Sequence, residues 1–262
     1  MPVPHRRGSP LRQHLGGPAA RLRRPLARTH VDRPAPPADR TGTILACRPG
    51  SSLRRLHPMP NGRYSLHDPH DGTPLGEERF SCAPGPAGWR YVSKTYRPDG
   101  TVLGTTDLTL DARHRPIRLE LRAGDWQVRG GALEGVHWVR AAAETGLDAA
   151  EGQDRAHAFT GDSPAFLVAT ARLLALDPGA DARIRLVSFT GDALAPRTLD
   201  QGWQLHAVED HPTDTGPLPV EHYRVTDLDT GEVREIHLTG DVLLAAPGID
   251  LEELDTPPNP RR

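Results

Sequence analysis

Residues 97–123 read RPDGTVLGTTDLTLDARHRPIRLELRA and contain the pattern that decides the fold. From Val102 to Leu110, and again from Ile117 to Leu121, apolar residues alternate with polar or charged ones. Side chains at every second position lie on one face of a β-strand, and such alternation is typical of antiparallel sheets with one solvated face. The segment Arg97-Pro98-Asp99-Gly100 adds turn chemistry before the first of these runs. The stretch therefore predicts two strands of an antiparallel sheet.

The same period of two recurs through most of the chain after residue 60, with turn residues between the runs. It predicts strands near 62–67, 74–81, 88–97, 101–110, 116–123, 125–130, 133–140, 157–160, 183–190, 202–209, 219–228 and 232–240. So many strands without alternating helices exclude a doubly wound α/β domain. The predicted fold is mainly β: one large curved or partly closed antiparallel sheet, an open barrel or clam, with one main helix across it or plugging it.

That helix is predicted near 163–176. Ser163 is a favourable N-cap, and Pro164 suits the first helical position because its missing N–H has no intrahelical partner there. Apolar residues then recur at helical spacing until Pro178-Gly179 ends the pattern. The alanine- and acid-rich residues 141–155 are consistent with either a short helix or a loop.

The last hairpin can be given a register. Pairing Tyr223 with Leu238, and Val225 with Ile236, brings apolar side chains together on one face. It leaves on the other face His222, Arg224, Glu235 and His237. A three-residue loop with a glycine bulge is the alternative, but it shifts the register by one residue and mixes the two faces. The hydrophobic pattern favours the first register.

Residues 1–58 differ sharply from the rest of the chain. They contain twelve Arg, two Asp, ten Pro and no aromatic residue, so they carry a net charge of +10, whereas residues 59–262 carry −12. An Arg- and Pro-rich segment without aromatics cannot bury enough surface to offset its ordering entropy. Three interpretations are open: translated upstream DNA with Met59 as the true start, a disordered basic tail, or a targeting segment, although no apolar signal-peptide run is visible. The excess of Arg over Lys favours the first.

The folded part is expected to be one domain over 59–255, with a disordered tail over 256–262. Its acidity argues against a nucleic-acid groove. No apolar run reaches eighteen residues, so no membrane span is expected. Cys47 and Cys82 are the only cysteines and cannot form a disulfide framework or a cysteine zinc site. We expect a cytoplasmic protein without cofactor or metal, and the oligomeric state is open.

Two short motifs resemble a catalytic motif and a metal-binding motif, but both have simpler structural interpretations. Residues 161–165, GDSPA, resemble the G-x-S-x-G nucleophile elbow of α/β-hydrolases. The elbow needs an N–H on the residue after the serine, which Pro164 lacks, and it needs a parallel β-α-β context that we do not expect here. Helix capping explains these residues. Residues 67–71, HDPHD, are interpreted as a polar turn, since Pro69 and the spacing keep the two histidines from one metal. No catalytic residue is assigned.

Most aromatic residues fall on predicted strands or the helix. The simplest interpretation is a β-sheet core, because aromatic side chains bury large areas. The functional interpretation is that a curved sheet leaves a cavity beneath the helix and that some of these side chains bind an apolar ligand there. The candidate ligand-binding residues are Trp89, Tyr91, Trp126, Trp138, Phe166, Trp203 and Tyr223.

Three segments together carry a family resemblance. They are the opening hairpin from Tyr64 to Gly76, the helix start at residues 163–167, SPAFL, and the closing block from His222 to Leu238. Over residues 60–255 the chain resembles uncharacterised bacterial proteins related to the lipoprotein-localisation type of scaffold, in which a strongly curved antiparallel sheet wraps helices like an open clam. The resemblance implies binding or carriage of a lipid-like molecule rather than catalysis.

The function that these observations favour is non-catalytic binding of an apolar or lipid-like small molecule in the concavity of a curved sheet. One alternative is an enzyme that uses a polar cluster on the sheet, with His222, Arg224 and His237 as candidates. His206 also falls on a C-terminal strand, and these histidines converge only if their strands are neighbours. A structural or interaction protein without a small ligand is the other alternative.

Overall fold

The computed structural model describes residues 59–85, 88–214 and 216–259. Residues 1–58, with the three interpretations offered for them, lie outside this description, as do residues 260–262. The described chain forms fifteen strands and one helix. The strands β1 to β15 are Asn61–His67, Pro74–Gly85, Gly88–Tyr96, Val102–Asp111, Pro116–Ala123, Trp126–Ala132, Val136–Ala142, Ala150–Asp154, Ala158–Gly161, Asp181–Thr190, Ala195–Thr213, Gly216–Asp227, Val233–Thr239, Val242–Ala246 and Ile249–Leu254, and the helix α1 is Ala165–Leu174.

All fifteen strands belong to one sheet, in the order β8-β7-β6-β5-β4-β3-β2-β1-β15-β14-β13-β12-β11-β10-β9. Neighbours are antiparallel throughout, except that β9 and β10 are parallel. β1 pairs with both β2 and β15, so the first and last strands meet in the middle of the sheet. β8 and β9 are its two edges. The predicted fold class, one large curved antiparallel sheet with a single helix, is confirmed.

The contacts of α1 require the sheet to curve. The helix packs against β4, β14 and β9, and β4 and β9 are ten places apart in the strand order. On a flat sheet ten spacings would separate them by about 48 Å, whereas a helix of ten residues is about 15 Å long. One short helix can contact all three strands only because the sheet wraps around it.

The concave face carries the core. Tyr64, Phe80 and Tyr91 lie on neighbouring strands and stack in series, with ring centroids 4.7 Å and 5.5 Å apart. Further along the sheet, Trp203 and Tyr223 meet edge to face at 5.7 Å. These side chains occupy alternate strand positions, and burial of their large apolar area holds the curved sheet together.

The alternation of apolar and polar residues predicted most of the strands but not all of them. Residues 141–155, expected to be a short helix or a loop, contain the edge strand β8. The last strands, β14 and β15, were not predicted, and β11 begins at Ala195 rather than near residue 202. Val102 and Ile117 were placed with the apolar face but are 51% and 45% exposed. Ile117 lies at a register shift in the pairing of β4 with β5, which turns it away from the core.

The helix is shorter than predicted and lies in a different context. It begins at Ala165, with Pro164 at the N-cap position, and ends at Leu174, followed by Ala175 in a left-handed conformation. We expected no parallel β-α-β unit, and this was wrong. β9, α1 and β10 form one, because β9 lies parallel to β10 at the sheet edge.

The register of the closing hairpin is also corrected. Tyr223 pairs with Ile236 rather than Leu238, so the predicted register is two residues off. A shift of two residues keeps every side chain on its predicted face. His222 and His237 are therefore direct partners on the face opposite the core.

The chain beyond the last strand is held to the domain as far as it is described. Asn259, in the tail expected to be disordered, is 5% exposed, and its backbone N–H and side-chain amide donate to the two carboxylate oxygens of Asp241, at 2.7 Å and 2.8 Å. The expectation of disorder is therefore corrected for residues 256–259. No helix among residues 59–85, 88–214 and 216–259 combines the length and apolar character that crossing a membrane requires.

Candidate functional site

A cavity of about 460 Å³ lies on the concave face, between the sheet and the N-terminal end of α1. Strands from both halves of the sheet contribute to it, together with the loops after β10 and β14. Much of its wall is apolar. The apolar lining residues are Leu66, Leu75, Leu103, Leu121, Ala123, Phe166, Leu167, Phe189, Leu194, Pro247 and Ile249.

One part of the wall is polar and centres on Glu78. This glutamate on β2 is 1% exposed, and its carboxylate oxygen Oε1 accepts hydrogen bonds from the Tyr91 and Ser163 hydroxyls, each at 2.8 Å. Its other oxygen, Oε2, accepts a longer bond of 3.3 Å from the Thr95 hydroxyl. We call Glu78, Tyr91, Thr95 and Ser163 the Glu78 cluster. It joins two neighbouring strands to the residues that precede the helix.

Burial dominates the electrostatics of this cluster. Desolvation of the carboxylate raises the pKa of Glu78, and the hydroxyl hydrogen bonds oppose this shift only in part. None of the ion pairs in the described part of the chain involves Glu78. A second acid lines the cavity nearby: burial raises the pKa of Asp162, against a hydrogen bond from the Gly191 backbone N–H at 2.8 Å. Arg122 and Arg234 also line the cavity.

The neighbouring carboxyl, Glu77, lies on the opposite face of β2 and has a different electrostatic environment. Adjacent residues of a strand point to opposite faces, so Glu77 and Glu78 cannot share a proton. Glu77 accepts bonds from Arg63 at 3.1 Å and Arg79 at 2.7 Å, and its hydrogen bond with Arg63 lowers its pKa. The two glutamates therefore have opposite pKa shifts.

Most of the predicted ligand-binding aromatics are core residues. Trp89, Tyr91, Trp203 and Tyr223 are at most 2% exposed and do not line the cavity, although the Tyr91 hydroxyl belongs to the Glu78 cluster. Phe166 is the one of the seven that contributes to the cavity wall.

The remaining two candidates, Trp126 and Trp138, are partly exposed. The Arg140 guanidinium covers the Trp126 ring at 3.3 Å from its centroid. Trp138 meets Phe189 edge to face at 6.0 Å. Neither tryptophan lines the cavity.

Neither motif supports the chemistry that it resembles, and Ser163, predicted as the N-cap, lies one residue before the N-cap position, which Pro164 occupies. In the GDSPA segment the Ser163 hydroxyl donates to a carboxylate rather than to an imidazole, and it accepts a 3.3 Å bond from the Ala165 N–H. Pro164 leaves no N–H after the serine, so the geometry does not form an oxyanion hole. In the HDPHD segment the Asp68 carboxylate accepts the His70 backbone N–H at 2.8 Å, as in a polar turn.

The polar cluster proposed for an enzyme is partly assembled. His222 and His237 lie on neighbouring strands with their Nδ1 atoms 2.8 Å apart. Arg224 instead forms an ion pair with Glu235 at 3.0 Å. All four side chains lie on the face opposite the cavity, because Tyr223 and Ile236 between them face the core. His206 is exposed and belongs to a register shift in β11.

Sequence reasoning missed the residues that give this cavity its chemistry. Glu78 shares its strand face with Phe80 and Cys82, both buried. The position of this carboxyl on the core face of an alternating strand could have been recognised in the sequence as a candidate site, because charged residues are almost never buried without partners. Ser163 was identified, but only as a helix cap.

No protein-family model matches the chain, and no curated protein matches it. Among the solved structures that match the chain, two have the following similarity. One is a DUF1089 family protein from Pseudomonas aeruginosa, with 17% identity, a TM-score of 0.36, and coverage of 80% of this chain and 97% of the other. The second is a beta-barrel-like protein of domain of unknown function DUF1849 from Brucella abortus, with 14% identity, a TM-score of 0.43, and coverage of 75% and 97%. The expected similarity to uncharacterised bacterial β proteins agrees with these findings. They do not extend to a function, and the lipoprotein-localisation type stays a prediction.

Proposed function

We propose that this protein binds a small, largely apolar, lipid-like molecule in the cavity on its concave face, without converting it chemically. The observation that carries the proposal is the position of three members of the Glu78 cluster, Glu78, Thr95 and Ser163, in the wall of a cavity of about 460 Å³ whose surface is more apolar than polar. Small-molecule sites generally have this size and this combination, in which apolar walls supply affinity and a few fixed polar groups supply orientation.

The two buried acids of the cavity favour an uncharged head group over a carboxylate beside the Glu78 cluster. Glu78 and Asp162 both line the wall, and burial already opposes their ionisation. A ligand carboxylate beside these acids would be desolvated as they are and would oppose their ionisation further, and the attraction of Arg122 and Arg234 acts elsewhere on the wall. A neutral hydroxyl or ester can instead exchange hydrogen bonds with the carboxyl and hydroxyl groups of the Glu78 cluster.

Calorimetric titration with straight-chain alcohols of increasing length, and with fatty acids of the same lengths, tests both parts of the proposal. Each buried methylene contributes about 0.8 kcal/mol, so alcohol affinity should rise about fourfold per carbon until the cavity is full. The fatty acid of equal length should bind more weakly than the alcohol. Absence of saturable binding throughout both series would overturn the proposal.

A matched pair of variants locates the site. Leu167 lines the cavity from the helix, whereas Leu133 is 78% exposed in the turn after β6. Leu167→Trp should fill part of the cavity and weaken alcohol binding at least tenfold, and Leu133→Trp should leave it unchanged. Equal affinity in both variants would mean that the ligand binds elsewhere. The cytoplasmic location is still a prediction, and the proposal does not depend on it.

A further inference from the structure

The strands β11 and β12 extend beyond their neighbours as a two-stranded ribbon. β10 pairs with β11 only between Ala195 and Gln204, and β13 pairs with β12 only between Glu221 and Thr226. Residues 207–213 of β11 and 216–222 of β12 pair with each other. The base of this ribbon is the place where His222 meets His237 of β13.

A register shift at the base determines which side chains of the ribbon lie near His222. Leu205 pairs with Tyr223, but the next pair is Ala207 with His222, so His206 is an extra residue in β11. A bulge of this kind reverses the faces of all residues that follow it on that strand. Glu209 and His211 therefore lie on the His222 side, where an unshifted strand would place Val208 and Asp210.

Three metal-binding side chains converge as a result. Oε2 of Glu209 lies 3.8 Å from Nε2 of His222 and 4.0 Å from Nε2 of His211. One donor atom from each of the three residues lies within 4.8 Å of the other two. The Nε2 atom of His222 is buried and has no hydrogen-bond partner among the described residues. A buried nitrogen without a partner is costly unless another group completes its coordination.

The contact between His222 and His237 fixes the imidazole that would bind the metal. Their Nδ1 atoms are 2.8 Å apart, so one donates a hydrogen bond to the other. If Nδ1 of His222 is the donor, its Nε2 carries a free lone pair on the side of Glu209. Metal-binding histidines commonly donate their second ring N–H in this way, which orients the ring and strengthens the ligand.

We propose that Glu209, His211 and His222 form a binding site for a divalent transition-metal ion of the zinc type, on the face opposite the cavity. Two imidazoles and one carboxylate are ligands that zinc accepts, whereas magnesium and calcium prefer oxygen alone. Zinc holds nitrogen and oxygen ligands at about 2.0–2.2 Å, which places tetrahedral donor atoms about 3.3–3.6 Å apart, so the two contacts of Glu209 must close by several tenths of an ångström and the two histidines by up to about 1.4 Å. Glu209 and His211 are 62% and 54% exposed and are free to make this adjustment. His237 is the positioning residue, and a fourth coordination position stays open to water.

Zinc titration of the full chain, with a chromogenic chelator as competitor, tests this site. The chain has thirteen histidines, so the comparison between variants is decisive. His211→Ala and Glu209→Gln alter exposed ribbon residues and should each weaken the tightest zinc site at least tenfold. His137→Ala removes an exposed histidine from β7, a strand that does not pair with the ribbon, and should change nothing. Circular dichroism of each variant should match that of the unaltered protein.

Cobalt substitution provides a readout that a structural role would not affect. Cobalt(II) bound to two imidazoles and a carboxylate should give visible d–d absorption at one equivalent, lost in His211→Ala and kept in His137→Ala. His237→Ala should weaken zinc binding 10–100-fold, the usual effect of losing an orienting partner. Zinc affinity within threefold of the unaltered protein in His211→Ala, or no binding below millimolar zinc, would refute the site.

Discussion

Substitution of Glu78 by glutamine isolates the energetic effect of its buried carboxyl. Glutamine keeps the shape and can still accept hydrogen bonds from the Tyr91 and Ser163 hydroxyls, but it does not ionise. Glu78 has a raised pKa because its charge is desolvated in the folded state. The two proteins should therefore differ in how their stability depends on pH, apart from any constant difference in packing.

The sign and size of this difference follow from proton linkage. Above about pH 4.5, the ordinary pKa of a glutamate, the unfolded chain has released the Glu78 proton while the folded chain still holds it. The free energy of unfolding then falls with rising pH, by up to about 1.4 kcal/mol for each pH unit, until the folded-state pKa is passed. Glu78→Gln lacks this loss, so the variant should gain stability relative to the unaltered protein as the pH rises through that window.

Urea denaturation at half-unit pH steps from 3.5 to 8, followed by tryptophan fluorescence, measures the difference directly. Glu77→Gln is the matched control, because the hydrogen bond from Arg63 lowers the pKa of Glu77, so its carboxylate contributes stability that is fully present above the unfolded-state pKa of about 4.5 and is lost as the pH falls through the lower folded-state pKa. Relative to the unaltered protein, this variant should lose stability as the pH rises. Parallel stability curves for Glu78→Gln and the unaltered protein would show that burial does not perturb Glu78 and would refute the reasoning.

Three further substitutions test the packing. Trp203→Ala should lower the free energy of unfolding by about 3–5 kcal/mol in urea denaturation, because the ring is 1% exposed. Asn259→Ala should cost about 1–3 kcal/mol by the same assay, since it leaves the buried Asp241 carboxylate short of a donor. Gly62→Ala should lower the melting temperature, because a Cβ there would meet the Glu253 carbonyl oxygen, whereas Gly202→Ala has 3.5 Å of room and should change it little. Equal melting temperatures for the two glycine variants would contradict the account of the β1–β15 pairing.

Alternation of apolar and polar residues predicted the sheet, because the buried face of each strand is visible in that strand's own sequence. Alternation does not predict a strand that is buried on both faces, or a short strand whose partner strand is distant in the sequence. Val242 and Leu243 are consecutive and both fully buried, so β14 lacks a period of two. β15 does alternate, but it is only six residues long and its partner β1 lies at the other end of the domain. Such short strands are stabilised by non-local pairing, which leaves little local trace.

Register was harder to predict than face assignment, for a related reason. In the closing hairpin, a shift of two residues leaves the apolar pattern unchanged, so alternation cannot detect it. The turn determines the register instead. The Asp227 carboxylate accepts hydrogen bonds from the backbone N–H groups of Asp229 and Thr230, and these bonds fix a loop from 228 to 231. At His206 the sequence gives no sign of a bulge. The metal-binding cluster therefore could not be read from histidine spacing.

The cavity shows why a face can be assigned from sequence while a site on it cannot. Alternation places Tyr91 inward and helical spacing does the same for Phe166, but only the position of α1 decides which inward side chains stay uncovered. That position depends on the bond between Ser163 and Glu78, two residues separated by 85 positions in the chain. Ser163 at the start of the helix and Glu78 on β2 look unrelated in the sequence, but their hydrogen bond holds the N-terminal end of α1 beside the cavity. A ligand that displaces the Ser163 hydroxyl from Oε1 of Glu78 must therefore also alter the anchoring of the helix.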